Sequence, residues 1–543
     1  MMKKTAITIL LAAMSMAAAH AQTAYDALRY SENNYEGTAR SVAMGNAFTA
    51  LGGDLGAVTI NPAGSAVAKY SQITLTPGLT FSTNTVSGQS PYDDGSLPYF
   101  DRQMKSSMSR FSMPNIGLTL NWDTKRSSGL KNMSFGFVVN RTNSWNENLY
   151  ANGTNTTTSF MGAVAAASSG LPADGLAKED AYDYYDWRSV VGYQSGMISP
   201  FGGFEDEYVG ASEGIYENSD GYDIALAGPI EQTYGRNVNG SKYEYLFNFG
   251  ANISDFLYLG ANLGVSTLSY DDTWYFKEAA IDPSDFEIGL DDGQTIYFDN
   301  MKYKNSYSAS GSGFFGKFGF ILTPGFGLRI GAAVQTPVLN MIEETWYEEG
   351  QTTFSDNSFS GSAYSPTGRY SYSMRSPFRA NFGAAYTLRD LAVVSVDYEF
   401  ADYGNMKFST DDYDREYFED VNMDIRERFG ISHMLRAGLE VKPVSSLAIR
   451  AGYGLTTGAE KIDSWGNALT PSRTQNISFG LGYSSKGSFF ADLAVRTTLL
   501  QDEYIMPYED YIFDSEGYVL EPVPELRNQR TLWKALLTFG FRF

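Results

Sequence analysis

Chemistry in this chain has to be sought among arginines and carboxylates. The 543 residues contain no cysteine and only two histidines, His20 and His433. A His/Cys metal centre, haem held by paired histidines and a serine–histidine triad therefore each lack a part, and a surface hydrolase would depend on His433 alone. What remains is a row of basic residues. Arg436, Arg450, Arg496 and Arg542 lie in segments of alternating polarity, on the polar parity that also carries Asp397, Glu399, Glu440 and Asp492. Alternate side chains of an extended strand share a face, so these charges meet on one surface. There they either compensate one another and brace that surface, or leave one guanidinium to pair with the carboxylate of a ligand. Such a contact is worth roughly 1.5 to 3 kcal/mol. Arg436 and Arg450 are the candidates for it.

Two other patterns carry less chemistry. Gly311-Ser312-Gly313-Phe314-Phe315-Gly316 spells G-x-G-x-x-G, but it lies inside a strand pattern with no βαβ unit around it, so it is not a dinucleotide fingerprint. Asp411, Asp412, Asp414, Glu416, Glu419 and Asp420 crowd one inter-strand segment. That segment lacks the glycine and spacing of an EF-hand and reads as a solvated acidic loop. No metal, cofactor or enzymatic activity is expected.

The elements that must position the arginines are strands. Alternation marks fourteen: Gln72 to Thr83, Arg110 to Asp123, Leu130 to Ser144, Lys242 to Ile253, Leu257 to Lys277, Tyr303 to Leu322, Phe326 to Tyr347, Ser371 to Leu388, Leu391 to Ser409, Ser432 to Lys442, Leu447 to Thr457, Thr474 to Tyr483, Phe489 to Leu500 and Leu532 to Phe543. Connections between them alternate between short turns and long loops, as in transmembrane barrels, and the even number puts both ends on one side. Leu435, Ala437, Leu439 and Val441 oppose Met434, Arg436, Gly438 and Glu440; Val394, Val396 and Tyr398 oppose Ser395, Asp397 and Glu399. In a soluble sandwich the polar faces would meet water, whereas in a barrel they line the lumen. The 38 Tyr, 35 Phe and 54 Gly suit a barrel, and mean hydropathy of -0.26 argues against helical spans. The fold class expected is an all-β, antiparallel transmembrane barrel of about fourteen strands.

Met1 to Ala21 has a basic start, an apolar run and an Ala-x-Ala site, the layout of a secretory signal, which would place the mature start at Gln22. The net charge of -22 argues against nucleic acid and against anionic membrane surfaces as partners. Between Gly37 and Ala68 small residues predominate, and Asn61-Pro62-Ala63-Gly64 predicts a rigid turn in which Gly64 bends the chain. The domain plan is a signal at 1–21, a compact segment rich in small residues at 22–70 and a barrel at 71–543 whose largest loop spans 145–241.

Gly37-Thr38-Ala39-Arg40, Met44-Gly45, Leu51-Gly52-Gly53-Asp54 and Asn61-Pro62-Ala63 resemble the start of the FadL/TodX family of outer-membrane transporters. Gly331 to Pro337, Ser376-Pro377-Phe378-Arg379, Val396-Asp397-Tyr398-Glu399 and Arg450-Ala451-Gly452-Tyr453 resemble its strand signatures. The resemblance implies that 22–70 is a hatch inside the lumen, with Asn61, Pro62 and Ala63 near its periplasmic end. It implies a monomer in the outer membrane of a Gram-negative bacterium, in contact with outer-membrane lipid. It also implies diffusive uptake of hydrophobic small molecules, long-chain fatty acids or aromatic hydrocarbons. The terminal Phe543 resembles the signal read by the barrel-assembly machinery. Two rivals stay open: a FadL-like barrel that serves a secretion system as a protein-binding component, and a general porin, which the plug counts against.

Pro337 and Pro377 fall inside strand segments, where a missing N–H breaks the ladder. Breaks of this kind are tied to ligand movement in the family, the best known being a kink in the third strand. Gly136 is the one candidate for it here. Loop 145–241 offers two faces: an apolar groove from Phe160 to Ala167 with Leu171, Val190, Val191, Met197, Ile198, Phe201 and Phe204, or a flat aromatic patch from Tyr182 to Trp187.

Overall fold

A computed structural model describes residues 22–543 apart from 90–99, 101, 202, 204, 219–220, 291–292, 411–414, 463–467, 486–487 and 515–516. The expected signal at 1–21, Phe204, Asp411, Asp412 and Asp414 lie outside the described residues.

Fourteen antiparallel strands close into a barrel: β1 (Gln72–Gly88), β2 (Met104–Asp123), β3 (Leu130–Asn155), β4 (Ile230–Ile253), β5 (Leu257–Ala280), β6 (Thr295–Gly325), β7 (Leu328–Gln335 and Leu339–Phe354), β8 (Gly368–Arg375 and Arg379–Leu388), β9 (Ala392–Asp402), β10 (Ile431–Val444), β11 (Leu447–Thr457), β12 (Arg473–Ser484), β13 (Phe489–Leu499) and β14 (Leu526–Arg542). Closure comes from β14, which pairs with β13 on one side and with β1 on the other, Phe541 opposite Ile73. Beyond it Phe543 and Ser71 exchange backbone hydrogen bonds. The closure gives the last strand a partner on both sides, as a bilayer demands of spanning strands.

Side-chain parity sorts the two faces. Ile73, Leu439, Ile449 and Phe541 point outward and are exposed, while Asp397, Glu399, Arg436, Glu440, Arg450 and Arg496 are buried on the lumen side. His433 is exposed on the outer face, its Nδ1 2.7 Å from the Tyr398 hydroxyl. No helix among the described residues is long and apolar enough to cross a membrane.

The strands outrun their sequence-based bounds at the long-loop end. β3 continues to Asn155 and β4 starts at Ile230, so both ends of loop 145–241 are strand. Residues between them fold as a cap that carries helices at Phe160–Ser168, Ala173–Leu176 and Trp187–Gln194. The expected apolar groove is absent: Phe160, Met161, Val164, Val190, Val191, Met197 and Ile198 form one closed core with Phe276, Phe298 and Tyr303 of the extended strands. The aromatic patch is not flat either, since Trp187 lies between Tyr182 and Trp346.

β7 and β8 are interrupted at the two prolines. Gln335 pairs with Arg379 and Leu339 with Arg375, and the three residues between them on each strand leave the ladder. Gly136 does not kink β3: it sits in register between Thr119 and Asn248. The register shifts of β3 against β4 fall on either side, at Leu130/Asn132 and Arg141/Asn143, and the β2–β3 ladder ends at Asn115 opposite Asn140. The acidic segment is also not a plain loop. Residues Arg415–Arg428 form a helix that exposes Glu416, Glu419 and Asp420 and buries Phe418 and Ile425 against Ala24, Ala27 and Tyr30.

Candidate functional site

The lumen is occupied from below by residues 22–70, the hatch. It begins with α1 (Ala24–Ser31), whose N-terminus is closed by a reciprocal Thr23–Asp26 capping box. The short α2 (Ala39–Ala43) follows, with Thr38 Oγ accepting from Ser41 N. The chain reverses at Gly52 and Gly53, both at positive φ. Gly64, expected to make the bend, instead lies against Gly52, where a Cβ would come within 3.1 Å of its Cα.

Asn61 anchors the turn by its side chain. Its Nδ2 donates to the carbonyls of Thr49 (2.6 Å) and Phe320 (3.0 Å), and its Oδ1 accepts from Ala63 N. Pro62 opens the following 3-10 turn, Pro62–Val67. The wall makes room with glycine: a Cβ on Gly260 would lie 2.2 Å from Ala63 N, and one on Gly452 would lie 2.1 Å from Gly45 N. Part of the barrel's high glycine content is thus the footprint of the hatch.

Buried charges join hatch to wall. Glu440 accepts from Arg40 Nε (2.9 Å) and Arg450 Nε (2.6 Å), and Arg450 Nη1 donates to Asp492 (2.6 Å). Glu36 of the hatch meets Arg141 at 2.5 Å and also Lys534. Asp397 accepts from both N and Oγ of Thr49 at 2.7 Å rather than from an arginine. Arg542 stacks over Tyr70 and Phe490 at the short-turn end. Arg450 is therefore committed to two carboxylates, and it lines a polar cavity of about 330 Å³ between the hatch and the short-turn end of β10–β14.

A separate cavity of about 270 Å³ lies on the other side of α2. Tyr35 and Asn46 of the hatch form one wall, and Arg379, Glu399, Arg436 and Arg496 line the barrel side, with Trp145, Met434 and Leu532 as apolar surface. Glu399 is shared by Arg379 and Arg436, each at 3.2 Å, and by the Tyr35 hydroxyl at 3.1 Å. Arg436 Nη2 also donates to Asn381 Oδ1 at 2.7 Å, but its Nε and Nη1 have no hydrogen-bond partner. Arg496 is 3 % exposed and makes no ion pair among the described residues; Nη1 donates to the Tyr35 carbonyl at 2.9 Å, while Nε and Nη2 have no partner. A buried guanidinium left this way is costly and is suited to receive an anion bidentately.

The structure brings Arg436 to this cavity and keeps Arg450 away from it. Arg496 is the residue that parity alone did not single out. Register would have done so, because Arg450 faces Glu440 across one ladder, whereas Arg496 faces Ser478 and Lys534.

The closed fourteen-stranded barrel with a hatch in its lumen has counterparts among solved structures. Among solved structures, the match to the P. putida toluene transporter TodX has a TM-score of 0.50 at 13% identity and covers 93% of this chain and 98% of that one. The match to a Pseudomonas aeruginosa FadL homologue has a TM-score of 0.50 at 11% identity and covers 94% of this chain and 99% of that one. At these identities the likeness is one of fold, and the fold is that of the FadL/TodX channels. No protein-family model matches the sequence, and no curated protein does.

Proposed function

We propose that the protein is an outer-membrane channel through which small hydrophobic compounds bearing an acidic head enter by diffusion. The observation that carries this reading is the pair Arg436 and Arg496, which line a part-apolar cavity between hatch and wall and each carry buried N–H groups without a partner. The volume of about 270 Å³ is at the small end for ligand pockets. It favours a compact aromatic or short-chain acid over a fully enclosed long-chain fatty acid. Asn143, Ser144 and Trp145 line the same cavity just beyond the point where the β2–β3 ladder ends, so the tail of a ligand lies beside a break in that ladder. The hatch, 22–70, closes the route towards the short-turn end and has to shift for passage.

Saturable binding of an aromatic carboxylate to the purified protein tests this. Arg496→Gln should weaken it by about ten- to a hundredfold, the loss of one charge-assisted contact, with the barrel's heat-modifiable migration unchanged. Arg450→Gln should disturb the barrel instead, by stripping Glu440 and Asp492 of a partner. Unchanged binding in the Arg496 variant, or no saturable binding of any fatty or aromatic acid to the wild type, would overturn the reading.

A further inference from the structure

A cavity of about 640 Å³ opens on the outer face of the wall, away from the lumen, where β6 and β7 separate at Pro337. Its origin is local. Lys317 pairs with Gln335 and Phe314 with Leu339, so Phe315 and Gly316 stand opposite three residues, Thr336, Pro337 and Val338. Pro337 has no N–H to offer the ladder, and Gly316, on the outward parity, has no side chain to fill the space. Across the seam Thr336 Oγ accepts from Gly316 N at 3.0 Å and Thr336 N donates to the Gly316 carbonyl at 2.9 Å, and on the β8 side Ser376 Oγ accepts from Val338 N at 2.8 Å.

The lining is apolar, and its outward members Leu263, Phe314 and Leu339 are 71%, 69% and 62% exposed. Phe315 forms the floor. Its ring turns inward across Gly264, where a Cβ would meet it at 2.3 Å, and on its lumen side it packs with Leu246, Val338 and Leu55 of the hatch. The cavity thus enters the thickness of the wall and ends there.

Arg375 stands on the rim, opposite Leu339 on the outward parity of β8. It makes no ion pair among the described residues; its Nη2 donates to the Asn405 carbonyl at 3.3 Å. It also marks a boundary: Phe382 and Phe378 lie exposed on the short-turn side of it, and Ser373 and Ser371 follow on the long-loop side. The cation therefore sits at the outer edge of the apolar band, at head-group depth.

We propose that this cavity seats an acyl chain of a phosphate-bearing lipid from the surrounding leaflet, with Arg375 holding its anionic head. The inference rests on the placement in a membrane given above and is independent of the lumen ligand. Open to hydrocarbon and lined by apolar side chains, the cavity cannot be filled favourably by water, and a flexible chain is the material the bilayer supplies. The rim charge then selects which lipid stays.

The test is native mass spectrometry of the full-length protein, extracted from bilayers of equimolar phosphatidylglycerol and phosphatidylcholine. The wild type should retain phosphatidylglycerol about tenfold over phosphatidylcholine, the discrimination expected of one charge-assisted contact. Arg375→Gln should bring the ratio to parity, and Gly316→Trp, which fills the cavity from the outer face, should abolish retention of both lipids. Heat-modifiable migration reports whether each variant is folded, and Leu339→Trp provides a second filling variant. The proposal is overturned if Arg375→Gln keeps the wild-type ratio, or if folded filling variants retain lipid as before. It is also overturned if Arg496→Gln removes the retained lipid, which would place that lipid in the lumen.

Discussion

The cap at the long-loop end and the hatch below it both obstruct the lumen, but with different materials. The cap is a dry aromatic core: the Phe160 ring lies 5.1 Å from Tyr303 and 5.4 Å from Phe276, with Trp274 and Tyr508 at its edges. The hatch meets its wall through glycines, backbone carbonyls and side-chain amides. Asn248 donates to the Pro62 carbonyl, Asn262 to that of Val58, and Arg40 to Glu440. Opening the cap exposes apolar area at about 25 cal/mol per Å². Shifting the hatch exchanges hydrogen bonds worth about 0.5 to 1.5 kcal/mol each for bonds to water. Opening the cap is thus opposed mainly by apolar burial, whereas moving the hatch also requires buried ion pairs and side-chain amides to be released.

The contrast can be broken most forcefully in the cap. Phe160→Ala should cost about 3 to 5 kcal/mol of local stability, read as accelerated proteolysis between 156 and 229 while the barrel remains heat-modifiable. If the whole barrel unfolds with it, the cap is not a separate module.

A smaller effect is expected where wall and hatch touch. Gly452→Leu puts a side chain where Gly45 N now lies, an overpacking cost of about 1 to 3 kcal/mol. The hatch should yield before the wall does, so single-channel conductance in planar bilayers should rise. A cysteine at Ser65, buried beside Ser134, should in the same background become reactive to bulky thiol reagents. Wild-type conductance and labelling would mean that the hatch is as fixed as the cap.

A further effect concerns pH. Glu213, in the cap, accepts from Gly210 N at 2.9 Å and from the Tyr511 hydroxyl at 3.0 Å. Burial outweighs these bonds and pushes its carboxyl up to about 7. Below the ordinary value near 4.3 the group is protonated whether the cap is folded or not, and its contribution to stability is full. As pH rises from about 4 to 7, only the unfolded form ionises and stability is lost; above 7 the loss is complete. Amide exchange in the cap should therefore be slower at pH 5 than at pH 8 after correction for intrinsic rates, and Glu213→Gln should flatten the difference.

Much of the barrel was legible in advance. The fourteen segments, their alternating connections, the closure of the last strand on the first and the two proline breaks all depend on local signals, the two-residue period of a strand and the missing N–H of proline. The family motifs were legible for the same reason, being short and contiguous. Strand ends beyond the membrane band were not, because there β3 and β4 lose the apolar alternation and continue as Asn, Gly and Thr. The apolar run at Phe160 was visible, but whether it made a groove or a core depended on Phe276 and Tyr303, more than a hundred residues away.

What the sequence determined by itself is which side chains face the lumen, because parity is a property of each strand alone. Which lumen arginine stays available was decided only by tertiary structure. Arg450 and Arg496 have the same parity, and the difference between them is the company they keep: Glu440 and Asp492 surround the first, while a backbone carbonyl of the hatch, from Tyr35, is the hydrogen-bond partner of the second. Hatch and wall meet across 400 or more positions of sequence at Arg40–Glu440 and Tyr35–Arg496. Strand periodicity reports which way a side chain points; it does not report what the folded chain brings to meet it.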